Sequence, residues 1–478
     1  MDGTIMSQNK YKTLVNNTML ISLGTFGSKL LVFFMVRFYT GYLTTADYGT
    51  ADLITQSANL LLSIVSMGIT DGVFRFAISH VKERRRIFSI GLYTITLGGL
   101  LLFGILPLLG LVKQLHPYLW LIGLYIMASC YHTLCAQFIR AEGKTALFAV
   151  QGMINTLLVI VLNIIFLAVL HMGITGYVLS IVLADVFCAL LLFLREKLWR
   201  QLTLHPGWPH WREMLAYSIP MIPATIFWWI TSVSDRYMVT GFISEAANGV
   251  YAVSYKLPTL LSIVSTIFME AWQFSAVAES EGDRLEHVRF FSRVWAAFQA
   301  VMFLAAGAIT ALAKPLVNVL TATPEFYEAW LYVPVLSAAM VYSSLVSFLG
   351  SVYMVEKNSM RTFLTAMIGA VLNIILNLLL IPSKLGVQGA AIATCISYFV
   401  VFLIRAADVR RFIPFKLYPI GLTENSILLL VQIVFMVLEL PGWIWVQCVC
   451  MLLMLYLNRT PVKNTLGRVL GMVHRKRA

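Results

Sequence analysis

Apolar residues along this chain arrive in blocks of roughly twenty, parted by short polar or charged breaks, without the strict alternation of half-buried strands. A helix of about twenty residues crosses a hydrocarbon core about 30 Å thick. Fourteen blocks read as spans: Thr13–Arg37, Tyr48–Thr70, Ile87–Val112, Tyr118–Ile139, Thr145–Leu170, Thr175–Leu194, Met214–Thr240, Asn248–Trp272, Phe291–Ala313, Trp330–Val355, Thr362–Ile381, Val387–Ile404, Ile420–Leu440 and Gly442–Leu457. The first block lacks the small-residue cleavage site of a signal peptide and is read as a span. The pattern predicts an all-α polytopic membrane protein of about 14 transmembrane helices, with short loops, two tails and no separate soluble domain.

Composition agrees: 59% of the 478 residues are hydrophobic and 12% charged, against about 25% charged in a soluble domain. The net charge of +13 invites a nucleic-acid reading, which its placement removes. With the N-terminus in the cytoplasm, the cytoplasmic segments hold 28 of the 35 Lys and Arg and the outer loops only Lys113, Lys314 and Lys384. That asymmetry predicts a membrane protein with both termini cytoplasmic. The run Lys82-Glu83-Arg84-Arg85-Arg86 and the tail His474-Arg475-Lys476-Arg477 then face anionic lipid headgroups. The six cysteines all lie in apolar blocks without metal-ligand or disulfide spacing, and read as packing residues.

The chain also repeats itself. Leu61-Leu62-Ser63-Ile64-Val65-Ser66 recurs as Leu260-Leu261-Ser262-Ile263-Val264-Ser265 at an offset of 199, a register that pairs Arg37 with Arg236 and Asp71 with Glu270. Gly173-Ile174-Thr175-Gly176 resembles Gly386-Val387-Gln388-Gly389 at an offset of 213. Each copy holds six spans, so both copies have the same orientation. This predicts two pseudo-symmetric six-helix lobes, 1–200 and 201–418, around a central cavity of the kind transporters use. The remaining 419–478 forms an additional helix pair and a basic cytoplasmic tail. Pro220 and Pro223 fall in the inner third of the seventh span and predict a kink, static or hinged.

Ionisable residues inside a bilayer are costly and are functional candidates by default. Lys29, Arg37, Arg236 and Lys256 fall in the outer half of their spans and would line a cavity with positive charge. Arginine offers phosphate a planar fork and lysine a point charge, so such a surface attracts an anion. Snorkelling to the outer headgroups is the second reading of Arg37. Asp71 and Glu270 sit at the inner ends of pseudo-equivalent spans and, with Asp235, are candidates for ion coupling; Asp71 is also within reach of Arg75 one helical turn on. Asp47, after Thr44-Thr45, reads as a cap of the second span. Tyr251, Tyr255 and Trp229 are candidate sugar or lipid contacts, with an interfacial aromatic belt as the plainer alternative.

The chain carries no P-loop, G-x-S-x-G or H-E-x-x-H, and no histidine placed with a nucleophile; neither an enzyme nor a cofactor or metal site is expected. The stretch Asp235-Arg236-Tyr237-Met238, then Gly249-Val250-Tyr251 and Tyr255-Lys256-Leu257, resembles bacterial polysaccharide repeat-unit flippases of the multidrug/oligosaccharidyl-lipid/polysaccharide exporter superfamily. Arg37, Asp47-Tyr48-Gly49, the Glu142-Gly143-Lys144 turn and Gly386-Val387-Gln388-Gly389-Ala390-Ala391 share the resemblance, which covers essentially the whole chain. It implies a bacterial cell membrane, and flipping of an undecaprenyl-pyrophosphate-linked oligosaccharide from the cytoplasmic to the outer leaflet by alternating access. Arg37, Arg236 and Lys256 would then hold the pyrophosphate, and Lys29 matches the family pattern more weakly. Polysaccharide polymerase and glycosyltransferases would be partners; nucleic acid would not. A lipid II flippase, a multidrug or cation antiporter of the same superfamily, and a non-transporting scaffold of a polysaccharide synthase stay open as alternatives.

Overall fold

The structure, a computed structural model, describes residues 27, 31–278, 284–355, 359–461 and 463. Every regular element among them is helical. In lipid this is expected, because a helix satisfies its own backbone polar groups where no water can. In chain order the helices are α1 (31–42), α2 (Thr45–Val65), α3 (Ile69–Ser79), α4 (Arg84–Leu109), α5 (Leu119–Ala141), α6 (Thr145–Asn163), α7 (Gly173–Arg195), α8 (Trp208–Ser218) and α9 (Ile222–Phe242). They continue as α10 (Glu245–Ser254), α11 (Lys256–Ala278), α12 (Arg284–Ala311), α13 (Ala313–Leu320), α14 (Val333–Val355), α15 (Ser359–Leu380), α16 (Val387–Val409), α17 (Pro419–Val437) and α18 (Trp443–Leu457).

Ten helical segments are each long and apolar enough to cross a membrane, and the bent pairs α2–α3 and α10–α11 raise the number to as many as 12 among the described residues. The fourteenth expected span is the shorter, 15-residue apolar α18, and most of the first expected span lies outside the described residues. The chain divides into two compact units, Met1–Trp229 and Ile230–Ala478, parted within α9.

Three spans depart from the straight blocks of the sequence pattern. The second ends at Val65, bends by 50° and resumes as α3 to Ser79. Met67 (φ 51°) and Gly68 (φ 63°) make the break, and the left-handed region ends a helix. The seventh starts at Trp208, earlier than the apolar run, and passes through a 3₁₀ turn at Ile219–Met221; Pro220, which cannot donate to the helical ladder, sits in that turn. The eighth bends by 42° at Tyr255, where Pro258 removes the amide that would have bonded Ser254. The bends fall at different depths, so Asp71 lies just past a break whereas Glu270 lies well inside α11.

The lobes repeat in finer detail. Gly173 (φ 56°), the first residue of α7, and Gly386 (φ 53°), just before α16, both have a positive φ, which a residue with a Cβ rarely adopts. Three residues on, a Cβ at Gly176 would lie 2.9 Å from Phe166 Cβ, and one at Gly389 2.6 Å from the Leu380 carbonyl oxygen. In both lobes a missing side chain lets the incoming helix pack on the end of the outgoing one.

In the first unit Thr44 and Asp47 form a capping box on α2: the Asp47 amide donates to Thr44 Oγ1 at 3.1 Å, and the Asp47 carboxylate accepts from the Thr44 amide at 3.4 Å. Asp47 is therefore the third residue of the cap, with Thr44 as the N-cap. In the second unit the core is aromatic. Trp272 stacks on Phe348 with ring centroids 4.9 Å apart, Phe268 on Phe298 at 4.5 Å, and the Trp295 indole donates to the Leu417 carbonyl at 2.9 Å. Exposed apolar side chains such as Phe34, Leu111, Ile420 and Trp445 are what a lipid-facing surface requires.

Candidate functional site

The second unit buries a connected polar cluster. α9 carries Ser234, Asp235 and Arg236, and Asp235 is fully buried. Its Oδ1 accepts the Arg236 amide at 2.9 Å. Its Oδ2 accepts three hydroxyls: Tyr251 at 2.7 Å, Tyr255 at 2.9 Å and Thr394 at 3.3 Å. Tyr251 comes from α10, Tyr255 from the bend between α10 and α11, and Thr394 from α16. The Arg236 guanidinium carbon lies 4.7 Å from the centroid of the Tyr255 ring, so one tyrosine donates to the acid with its edge and faces the base with its π-surface. Beyond Thr394 the cluster extends to α15: Asn373 Nδ2 donates to Thr394 at 3.3 Å, and Asn373 Oδ1 accepts from Ser234 at 3.1 Å and Asn377 at 2.9 Å. Asn377 Oδ1 is buried and accepts no hydrogen bond among the described residues. A carboxylate, amides and hydroxyls gathered from four elements in an apolar surround form a set able to take up and release a proton or a small hard cation.

The first unit holds a cluster of its own. Asp185 on α7 accepts from Ser129, from His132 Nδ1 at 2.9 Å and from Asn155 at 2.9 Å; His132 Nε2 meets Gln151 Oε1 at 2.7 Å. The sequence pattern did not single out His132, Gln151, Asn155, Asn373, Asn377 or Thr394. A signal was present: Gln151/Asn155 and Asn373/Asn377 are amides one turn apart on otherwise apolar helices.

Asp235, Arg236, Tyr251 and Tyr255 are thus brought together, with both tyrosine rings buried and both hydroxyls committed to Asp235. Lys256, the first residue of α11, is half-buried. Arg37 is exposed on α1, and its carbonyl accepts the Thr40 hydroxyl at 3.1 Å. Trp229 is half-buried and donates its indole N–H to the Gln56 carbonyl at 3.0 Å. Asp71 is exposed and does not pair with Arg75, whose guanidinium lies 4.3 Å over the Tyr217 ring instead. Lys29 and the side chain of Glu270 lie outside the described residues. At the Glu142-Gly143-Lys144 turn, Gly143 has φ 84° and Lys144 bonds Glu142 at 2.7 Å and Glu196 at 2.6 Å. Burial alone would lower the Lys144 pKa, but these two carboxylates raise it above the ordinary lysine value.

The sequence profile of the family described as polysaccharide biosynthesis protein matches residues 34–330, more than half of the chain. The chain belongs to that family. Comparison with curated protein sequences returns no significant match. Among solved structures, the lipid II flippase MurJ in an inward closed conformation superposes with a TM-score of 0.73 at 15% identity, covering 94% of this chain and 99% of that one. The Vibrio cholerae MATE transporter VcmN, in a mutant form, gives 0.59 at 14% identity, covering 84% of this chain and 96% of that one. A MOP superfamily transporter from Pyrococcus furiosus gives 0.60 at 14% identity with the same coverages of 84% and 96%. This polysaccharide biosynthesis family member is therefore a multi-pass membrane protein with the fold of MOP superfamily flippases and transporters.

Proposed function

We propose that the protein flips a polyprenyl-pyrophosphate-linked oligosaccharide from the cytoplasmic to the outer leaflet for cell-surface polysaccharide synthesis. The observation that carries this reading is the family match over 34–330 on a fold that the lipid II flippase covers over 94% of the chain. The multidrug transporter fold covers less, 84%.

In the second unit Arg236 and Lys256 are the groups assigned to the pyrophosphate, and Tyr255 aims Arg236 by lying beneath it. Arg37 is the first unit's candidate for the same chemistry. Ion coupling is assigned to Asp235, whose partners are hydroxyls and amides able to rearrange around a bound proton or cation, with Asp71 and Glu270 as further candidates. Anionic lipids of the cell membrane and the enzymes that build and polymerise the repeat unit are the expected partners.

The test is flipping of a fluorescent polyprenyl-pyrophosphate oligosaccharide in proteoliposomes. Losing one charge-assisted contact to phosphate costs about 1.5–3 kcal/mol, or roughly ten- to a hundredfold in affinity. Arg236→Ala and Lys256→Ala should show that loss at normal abundance, and Arg236→Lys, which keeps charge without the fork, an intermediate one. A parent protein that flips no polyprenyl-linked sugar would overturn the reading. The likeness to MurJ favours lipid II as the second substrate to try; flipping of lipid II and not of a shorter repeat unit would move the protein to cell-wall synthesis.

A further inference from the structure

Away from both polar clusters, the second unit contains a cavity of about 570 Å³ between the start of α12 and the linker from α16 to α17. Arg289 and Arg293 line it from α12, and Lys416 and Tyr418 from the linker. The loop charge bias puts this end of the unit on the cytoplasmic side.

Three cations share the space with a single carboxylate, Glu286. None of the three pairs with a carboxylate among the described residues; Arg293 donates only to the Arg289 carbonyl, at 3.4 Å. Topology alone would require cations here but not a shaped receptacle for them. The receptacle is held open by bonds that pin the linker to α12. The Lys416 amide donates to Ser292 Oγ at 2.9 Å, the Trp295 indole takes the Leu417 carbonyl at 2.9 Å, and Phe415 packs on Phe291 with centroids 5.8 Å apart. Tyr418, which also lines the cavity, is held at φ 48° and ψ 59° as the N-cap of α17, a conformation that a residue with a Cβ adopts only where its surroundings impose it.

We propose that this cavity binds the phosphate of a membrane lipid in the cytoplasmic leaflet, with Arg289, Arg293 and Lys416 on the phosphate oxygens and Phe290 and Tyr418 beside the lipid's apolar part. Two arginines supply forks for phosphate oxygens and the lysine a mobile point charge. Glu286 leaves a net charge of about two positive, enough for the single negative charge of a glycerophospholipid diester or the two of a pyrophosphate diester. The chemistry is shared by two sources, an anionic glycerophospholipid and the pyrophosphate of a polyprenyl carrier. The site stands whichever substrate the transporter moves.

Native mass spectrometry of the full chain in detergent tests this, with short-chain phosphatidylglycerol in one arm and farnesyl pyrophosphate in the other. Each cation near anionic lipid contributes about fivefold in affinity, so the triple variant Arg289→Gln, Arg293→Gln, Lys416→Gln should bind roughly a hundredfold more weakly. A control triple, Lys113→Gln, Lys314→Gln, Lys384→Gln, removes the three outer-loop cations and should change binding less than twofold. Loss confined to phosphatidylglycerol assigns the site to phospholipid, and loss confined to the pyrophosphate assigns it to the carrier. If the triple variant fails to accumulate, each single variant should still show its fivefold loss. Folded variants that bind both ligands as the parent does, or a control triple that loses as much, would overturn the proposal.

Discussion

The sharpest test of the buried cluster is to remove the two tyrosine hydroxyls that meet at Asp235. Tyr251→Phe deletes a 2.7 Å bond and Tyr255→Phe a 2.9 Å bond to the same carboxylate oxygen. Both rings are buried and keep their packing as phenylalanine, so the hydroxyl is the perturbation. A bond to a charged acceptor is worth about 1.5–3 kcal/mol and one to a neutral acceptor about 0.5–1.5 kcal/mol; side-chain bonds within membranes average about 0.6 kcal/mol. If Asp235 is ionised, each single variant should lose about 1.5–3 kcal/mol. At about 2–4 °C per kcal/mol for a unit of this size, that lowers the thermal midpoint by roughly 3–12 °C. The two hydroxyls share one oxygen, so the double variant should deviate from additivity by about 0.5–3 kcal/mol. Differential scanning fluorimetry of purified parent, single and double variants measures all four corners of the cycle. Unchanged midpoints in both single variants would refute the reasoning, because the hydroxyls would then contribute no net stabilisation of Asp235.

Gly98→Ala should abolish accumulation of folded protein, because the new Cβ would stand 1.8 Å from the Val65 carbonyl oxygen at the end of α2, an overlap that no rotamer change relieves; detergent-solubilised yield measures it. Cysteines placed at Glu325 and Lys82 in a cysteine-free background should label from opposite sides of the membrane, and labelling of both from outside would remove the fourteen-span topology. The Lys144 ion pairs should add stability that is full below the ordinary lysine pKa and lost as pH rises through the higher folded value, since the protonated form is the one stabilised. The midpoint difference between parent and Lys144→Met should therefore hold steady from about pH 6 to 9 and shrink above about pH 11.

Much of the architecture was legible in the residues themselves. Spans show in sequence because a bilayer demands about twenty apolar residues whatever the neighbours are, and the repeated Gly173 and Gly386, matched at an offset of 213, both have a positive φ. The cap at Thr44 and Asp47 was visible for the same reason, being a local arrangement of adjacent residues. The sites behaved otherwise. Asp235, Arg236, Tyr251 and Tyr255 were noticed individually, but their union around one oxygen depends on a bend at Tyr255 that brings α10 against α9 and on Thr394 arriving from a helix more than a hundred residues away. His132 and Asp185 lie 53 residues apart and meet only when α5 packs on α7. Asp71 and Arg75, one turn apart on α3, looked like a pair, yet the arginine lies over the Tyr217 ring instead. Local periodicity determines which segments are long and apolar enough to cross a membrane. Which polar groups share a buried oxygen is decided by helix packing, because a desolvated side chain must find its partner wherever the fold places one.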